Sequence, residues 1–409
     1  MEFRRAELAN GLEIIAECNP AAHSQALGFF VQTGARDEAD DIAGVSHFLE
    51  HMLFKGTPRR SADDVNRQFD EIGAHYNAFT SEENTVYYAA VLPEHQTACV
   101  DILADIMRPS LRTEDFDTEK QVILEEIEMY LDQPPYGMDD YIKRLCFGEH
   151  PIARSVLGTA DSITALSAQQ MRGYFEQRYS PGNMLVAAAG NVDFDKLVAD
   201  IEERCGGWER FDANRELPGA KVQTAFESVE QSASNQQYIL QLGLAPAGQD
   251  ADRYAAKLLA SIVGDDSGSR LYWELVDPGV AETASLGHYD YLGIGMFYGW
   301  IACSPDDTEE CLTRAQKIYQ QVQAGGVTAE ELAQVKNKVK SRVVLASEKP
   351  RSRLFNVGGN WSTNREYRTP KDDLRAIDDV TESEIRAVLD KYPLTEQAVV
   401  SVGPRKIVV

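Results

Sequence analysis

Gly44-Val45-Ser46-His47-Phe48-Leu49-Glu50-His51-Met52-Leu53-Phe54 is the stretch from which the rest of the chain can be read. Its apolar residues Val45, Phe48, Leu49, Met52 and Leu53 recur at spacings of three and four, the period of an amphipathic helix. Steps of three and four return to one helix face, so His47, Glu50 and His51 share a side. Two imidazoles placed this way can grip one metal ion, with a carboxylate beside it that need not be a ligand. Metal-assisted hydrolysis needs this set: nitrogen ligands, an open position for water, and a base to take the water's proton. The order His-x-x-Glu-His inverts the commoner His-Glu-x-x-His zinc signature. The plainer reading is a solvated helix face, and a third ligand elsewhere in the chain would decide against it.

A long helix is predicted from Thr113 to Tyr130, with Thr113 as its cap and acids in its first turn. Val122, Ile123, Ile127 and Tyr130 form its apolar side, and Asp132-Gln133-Pro134-Pro135 its stop. Glu119 and Glu126 are seven apart and share a face with Val122 and Ile123, whereas Glu125 and Glu128 point elsewhere. A core-facing acid is costly unless paired or metal-bound. Glu126 is therefore the candidate third ligand, and Glu119 the candidate partner that fixes a ligand histidine. A surface acidic run explains the same spacing. His75 is read as an ordinary strand histidine.

Around these helices the chain alternates strands and helices. Strands are predicted at Leu12–Cys18, Gln25–Thr33, Ala74–Ser81, Thr85–Leu92 and Met184–Gly190, and a helix at Ser61–Ile72. The polar stretch from 209 to 222 reads as a linker. Beyond it the order recurs: Thr328-Ala329-Glu330 opens a long helix as Thr113-Glu114-Asp115 does, and Ala398–Gly403 echoes Leu185–Gly190. This predicts an α+β (α/β) chain of two tandem copies, 1–208 and 223–409, each a sheet packed with helices. The second copy has a helix near 250–263, without histidine, where the metal motif would stand.

A length of 409 residues suits two such domains. The net charge of −25 argues against nucleic-acid binding, which needs a basic footprint. Six scattered cysteines without a Cys-x-x-Cys pair read as free buried thiols in a reducing compartment. No signal peptide or membrane-length apolar run is present as written, so a cytoplasmic protein is expected.

Taken together, Gly44 to Thr57, Asn77-Ala78-Phe79-Thr80-Ser81 with Glu83 and Thr85, Glu119 to Tyr130, Tyr179 to Gly190 and the tandem halves resemble the pitrilysin and mitochondrial processing peptidase family of inverted-zincin metallopeptidases. The resemblance implies zinc held by His47, His51 and Glu126, with Glu50 as general base and Glu119 behind a ligand. It implies mainly antiparallel sheets, the two tandem domains forming a half-chamber. It also implies that Asn77, Ala78 and Phe79 face a peptide or unfolded protein substrate. Many members carry an Arg and then a Tyr after a Ser-Arg-Leu-Tyr-like segment. Here Ser269-Arg270-Leu271-Tyr272 runs on without that Arg, and Arg270, Tyr272, Tyr289 and Tyr291 are the nearby residues of those types. A homodimer, or a heterodimer with a related chain, is therefore expected, and an assembly or regulatory subunit of such a complex is the alternative to a peptidase.

Overall fold

The structure, a computed structural model, describes residues 1–132, 137–232 and 234–408. Its strands are β1 (Glu2–Glu7), β2 (Glu13–Cys18), β3 (Gln25–Val31), β4 (His75–Thr80), β5 (Thr85–Val91), β6 (Met184–Gly190), β7 (Phe226–Glu230), β8 (Gln237–Ala245), β9 (Ala281–Tyr291), β10 (Ile294–Cys303) and β11 (Ala398–Gly403). They form two sheets, β1-β2-β6-β3-β5-β4 and β7-β11-β8-β10-β9. Both are mainly antiparallel; β2 with β6 and β7 with β11 are parallel. β4 and β9 are edge strands. Among the described residues, no helix is long and apolar enough to cross a membrane.

Each sheet is buried on both faces, which explains why β3 and β6 read as unbroken apolar runs. Alternate residues of β3 go to opposite sides. Leu27, Phe29 and Val31 join Phe48 and Leu49 of the motif helix, whereas Ala26 and Phe30 pack on Leu354, Val357 and Trp361. In the second sheet, Ile239, Phe297 and Ile301 meet the helix Arg253–Gly264, while Leu240, Leu242 and Met296 meet Ile142 and Cys146.

Two of these covering helices come from the opposite sequence half. The helix Pro350–Asn364 covers the first sheet, and the helix Met138–Phe147 covers the second. The chain accordingly divides into one unit of Met1–Ile127, Arg154–Glu216 and Leu345–Arg368, and another of Glu128–Ala153, Leu217–Val344 and Thr369–Val409. This division differs from the linear halves 1–208 and 223–409. Residues 208–225 contain no helix or strand. They are not slack, for Arg215 pairs with buried Asp37 at 2.6 Å and Phe211 bonds Ser180.

Helix Pro350–Asn364 lies close to its sheet. A Cβ at Gly358 would stand 2.4 Å from the Phe30 ring. Gly358→Val is therefore expected to overpack this layer and destabilise the protein by about 1–3 kcal/mol, read as a lower urea midpoint.

Local signals set most element ends. Ser61, Ser167 and Thr381 cap their helices, each accepting the backbone N–H three residues on. The long helix runs Thr113–Asp132; the rest of the predicted stop, Gln133 to Pro135, lies outside the described residues. Val122, expected on its apolar side, is instead exposed, because the core takes Ile123 and Ile127, with Leu124 partly buried beside them, from this part of the helix. All six cysteines are free, and all but Cys18 are buried.

Candidate metal centre

The motif helix is Val45–Leu53. It starts at Gly44, whose φ of +90° and 2.5 Å approach of a would-be Cβ to the Leu157 carbonyl exclude a side chain. With no hydroxyl at that position, Glu38 caps the helix, accepting from Gly44 N at 2.6 Å and Ser46 N at 2.8 Å. Burial pushes this carboxyl up to about 7, against those two bonds. Val45, Phe48, Leu49, Met52 and Leu53 are buried, so the opposite stripe presents His47, Glu50 and His51 together.

The long helix brings Glu126 to this stripe. One donor atom each from His47, His51 and Glu126 lie within 4.8 Å of one another. Glu126 Oε2 is 3.8 Å from Nε2 of both histidines. These gaps exceed hydrogen bonds and leave room for an ion. Glu119 is almost fully buried and takes a hydrogen bond from His51 Nδ1 at 2.9 Å and an ion pair from Lys55 at 2.6 Å. Nδ1 of His51 carries the proton of that bond, and Nε2 is the nitrogen that faces Glu126. Glu125 and Glu128 are exposed.

The electrostatics suit a cation-binding donor set. Burial, with the neighbouring His51, pushes His47 down to about 3, so its ring is neutral. Nδ1 of His47 is buried without a hydrogen-bond partner among the described residues. Burial alone lowers the pKa of His51, but the Glu119 hydrogen bond and the surrounding carboxylates outweigh it and raise it. Burial works upward on Glu119, yet His51 and Lys55 bring it down, so it stays a carboxylate. Burial raises Glu50, against a hydrogen bond from Thr80 Oγ1 to Glu50 Oε2 at 2.6 Å.

Thr80 ends edge strand β4. Ala78 shares its face and is buried, whereas Asn77 and Phe79 point to the other side and are exposed. Phe79 packs there on Phe355, ring centres 5.7 Å apart. His75 begins β4, is exposed, and is not among the converging donors. In the other unit, Arg270 is committed to Glu331 by two bonds of 2.7 and 2.9 Å, and Tyr272 packs on Trp273. Sequence reasoning missed Thr80, Glu38 and Lys55. Alternation along Asn77–Ser81 would have placed Thr80 with Ala78; no local signal marked Glu38, which lies in a loop.

Residues 13–160 match the family model described as insulinase (peptidase family M16), and 165–339 the model described as peptidase M16 inactive domain. A protein named as an uncharacterized zinc protease in Mycobacterium bovis is 34% identical over 94% of this chain and 89% of its own length. The chain belongs to the M16 peptidase family. Another member, named as the uncharacterized zinc protease YmxG of Bacillus subtilis, is 32% identical over 88% of each chain. The fold agrees: the crystal structure of a protease from Helicobacter pylori superposes with a TM-score of 0.90 at 20% identity, over 98% of this chain and 99% of that one. The relatives' names join M16 membership to zinc and proteolysis, and the donor cluster of this chain falls within the residues matched by the first family model.

Proposed function

We propose that this M16 chain is a zinc-dependent endopeptidase of the inverted-zincin type, acting on peptides or unfolded segments. The observation that carries the reading is the convergence of His47, His51 and Glu126 beside a half-buried Glu50 that is not one of the three donors. Two imidazoles and one carboxylate would be the ligand set of a hydrolytic zinc site. When bound there, zinc supplies a Lewis acid that polarises the scissile carbonyl and makes water acidic enough to attack at neutral pH. Glu50, raised by burial, is poised to accept the water's proton and pass it to the leaving amine. Thr80 holds one of its oxygens and so aims the other. Glu119 fixes the His51 ring. β4 offers its unpaired edge to an extended substrate, through the backbone of Asn77, Ala78 and Phe79.

We assign the working form to a dimer, with itself or a related chain, because Arg270 is spent on Glu331 and supplies no free cation for a substrate. Sedimentation of the purified protein tests this. The activity test is mass-spectrometric cleavage of a mixed library of unstructured peptides by the chain alone. Cleavage abolished by a chelator and restored by zinc supports the reading. No cleavage, alone or with a related chain, would move the assignment to an assembly subunit.

Glu119→Gln tests the support of His51. The amide keeps the shape but loses the charge that orients the ring. Zinc affinity is expected to fall about 10–100-fold by competition with a chelating dye. Activity at saturating zinc should change far less.

A further inference from the structure

The second unit holds an open cavity of about 620 Å³ at edge strand β9, within the range of about 300–1,000 Å³ typical of ligand sites. Tyr298 and Trp300 are two apart on β10 and face the same side. Register places Gly287 opposite Tyr298 and Tyr289 opposite Met296, so Tyr289 stands on that side as well. Gly287 has no side chain to fill the gap, and a Cβ there would come within 2.9 Å of the Tyr289 ring. Tyr289 is 52% exposed and meets Tyr298 edge to face, ring centres 5.9 Å apart. The helix Met138–Phe147 covers this face further along the sheet, and its first turn brings Asp139 to the Tyr298 hydroxyl, which donates to it.

The charges in the cavity are unequal. Asp265 is tied to Arg342 at 2.7 Å and Lys338 at 3.0 Å, and Asp266 also lies in the field of Arg342. Asp139 meets no cation among the described residues. A carboxylate without a cation, beside three aromatic rings in an open cavity, fits a guanidinium or ammonium group: the rings attract it by their faces and the carboxylate neutralises it. We infer that this cavity binds a basic side chain, arginine or lysine, of an extended peptide. As a binding site it stands on the cavity alone; as a determinant of substrate choice it rests on the peptidase reading.

The test is equilibrium dialysis of the full chain, carrying Glu50→Gln to prevent cleavage, against acetyl-Gly-Gly-Arg-Gly-Gly-amide and the same peptide with neutral, isosteric citrulline. Saturable binding of the arginine peptide is expected, weakened about tenfold by citrulline. Asp139→Asn and Tyr289→Ala, both at exposed positions, are each expected to weaken it about fivefold. Equal binding of the two peptides, no saturable binding, or binding untouched by both substitutions would overturn the inference. Library cleavage by the chain with Glu50 intact is read separately. Cleavage without dialysis binding removes the cavity and keeps the peptidase; binding without cleavage does the reverse.

Discussion

Glu50→Gln is expected to lower kcat/KM for any peptide the chain cleaves by about 10³-fold, the scale of a lost general base. That corresponds to about 4 kcal/mol of barrier. An amide has nearly the same shape and still accepts the Thr80 hydroxyl, so the local geometry survives. It cannot take a proton from water. Glu50 is not one of the three converging donors, so the substitution should leave zinc content unchanged. Steady-state kinetics beside metal analysis on the same preparation reads both. A loss of less than tenfold with full zinc would sink the role given to Glu50. A loss of zinc along with activity would make Glu50 a ligand, and the site would need redrawing.

Arg353→Met should destabilise the fold by about 3–5 kcal/mol, the cost of stranding a buried partner charge. Glu17 and Arg353 are both almost fully buried. Arg353 donates from Nε at 2.8 Å and Nη2 at 2.5 Å to the two oxygens of Glu17, and the Tyr367 hydroxyl adds a bond of 2.8 Å. Methionine fills much of the volume but leaves the Glu17 carboxylate without its cation. Pairing it with Glu17→Leu should recover most of the loss, because an apolar pair of similar volume substitutes well for a buried ion pair. Urea denaturation of the single and double variants measures this. A single-variant effect under about 1 kcal/mol would show that helix Pro350–Asn364 is held by its apolar face alone.

The metal motif was legible because its information is local. A step of three or four residues on one helix puts His47, Glu50 and His51 on one side whatever surrounds them. Helix caps at Ser61, Ser167 and Thr381 are local in the same way, since each hydroxyl reaches a backbone N–H only three residues away. Glu126 was a weaker case: helical spacing named a face of the long helix but not what that face would meet. The same spacing placed Val122 inward, and it is exposed.

From the sequence alone came the candidate donor pair, the candidate base, the tandem order of elements and the family resemblance, all carried by contacts within a few turns of one helix or by repetition along the chain. Tertiary structure decided the rest. It set Glu126 against both histidines and Glu119 against His51, brought Thr80 to Glu50 across 30 positions, and joined Glu17 to Arg353 across 336. It also gave each sheet a covering helix from the opposite half. A sheet face must be covered by apolar surface, but its own residues do not say which segment will cover it. Periodicity encodes which way a side chain faces; only the folded chain supplies what stands opposite.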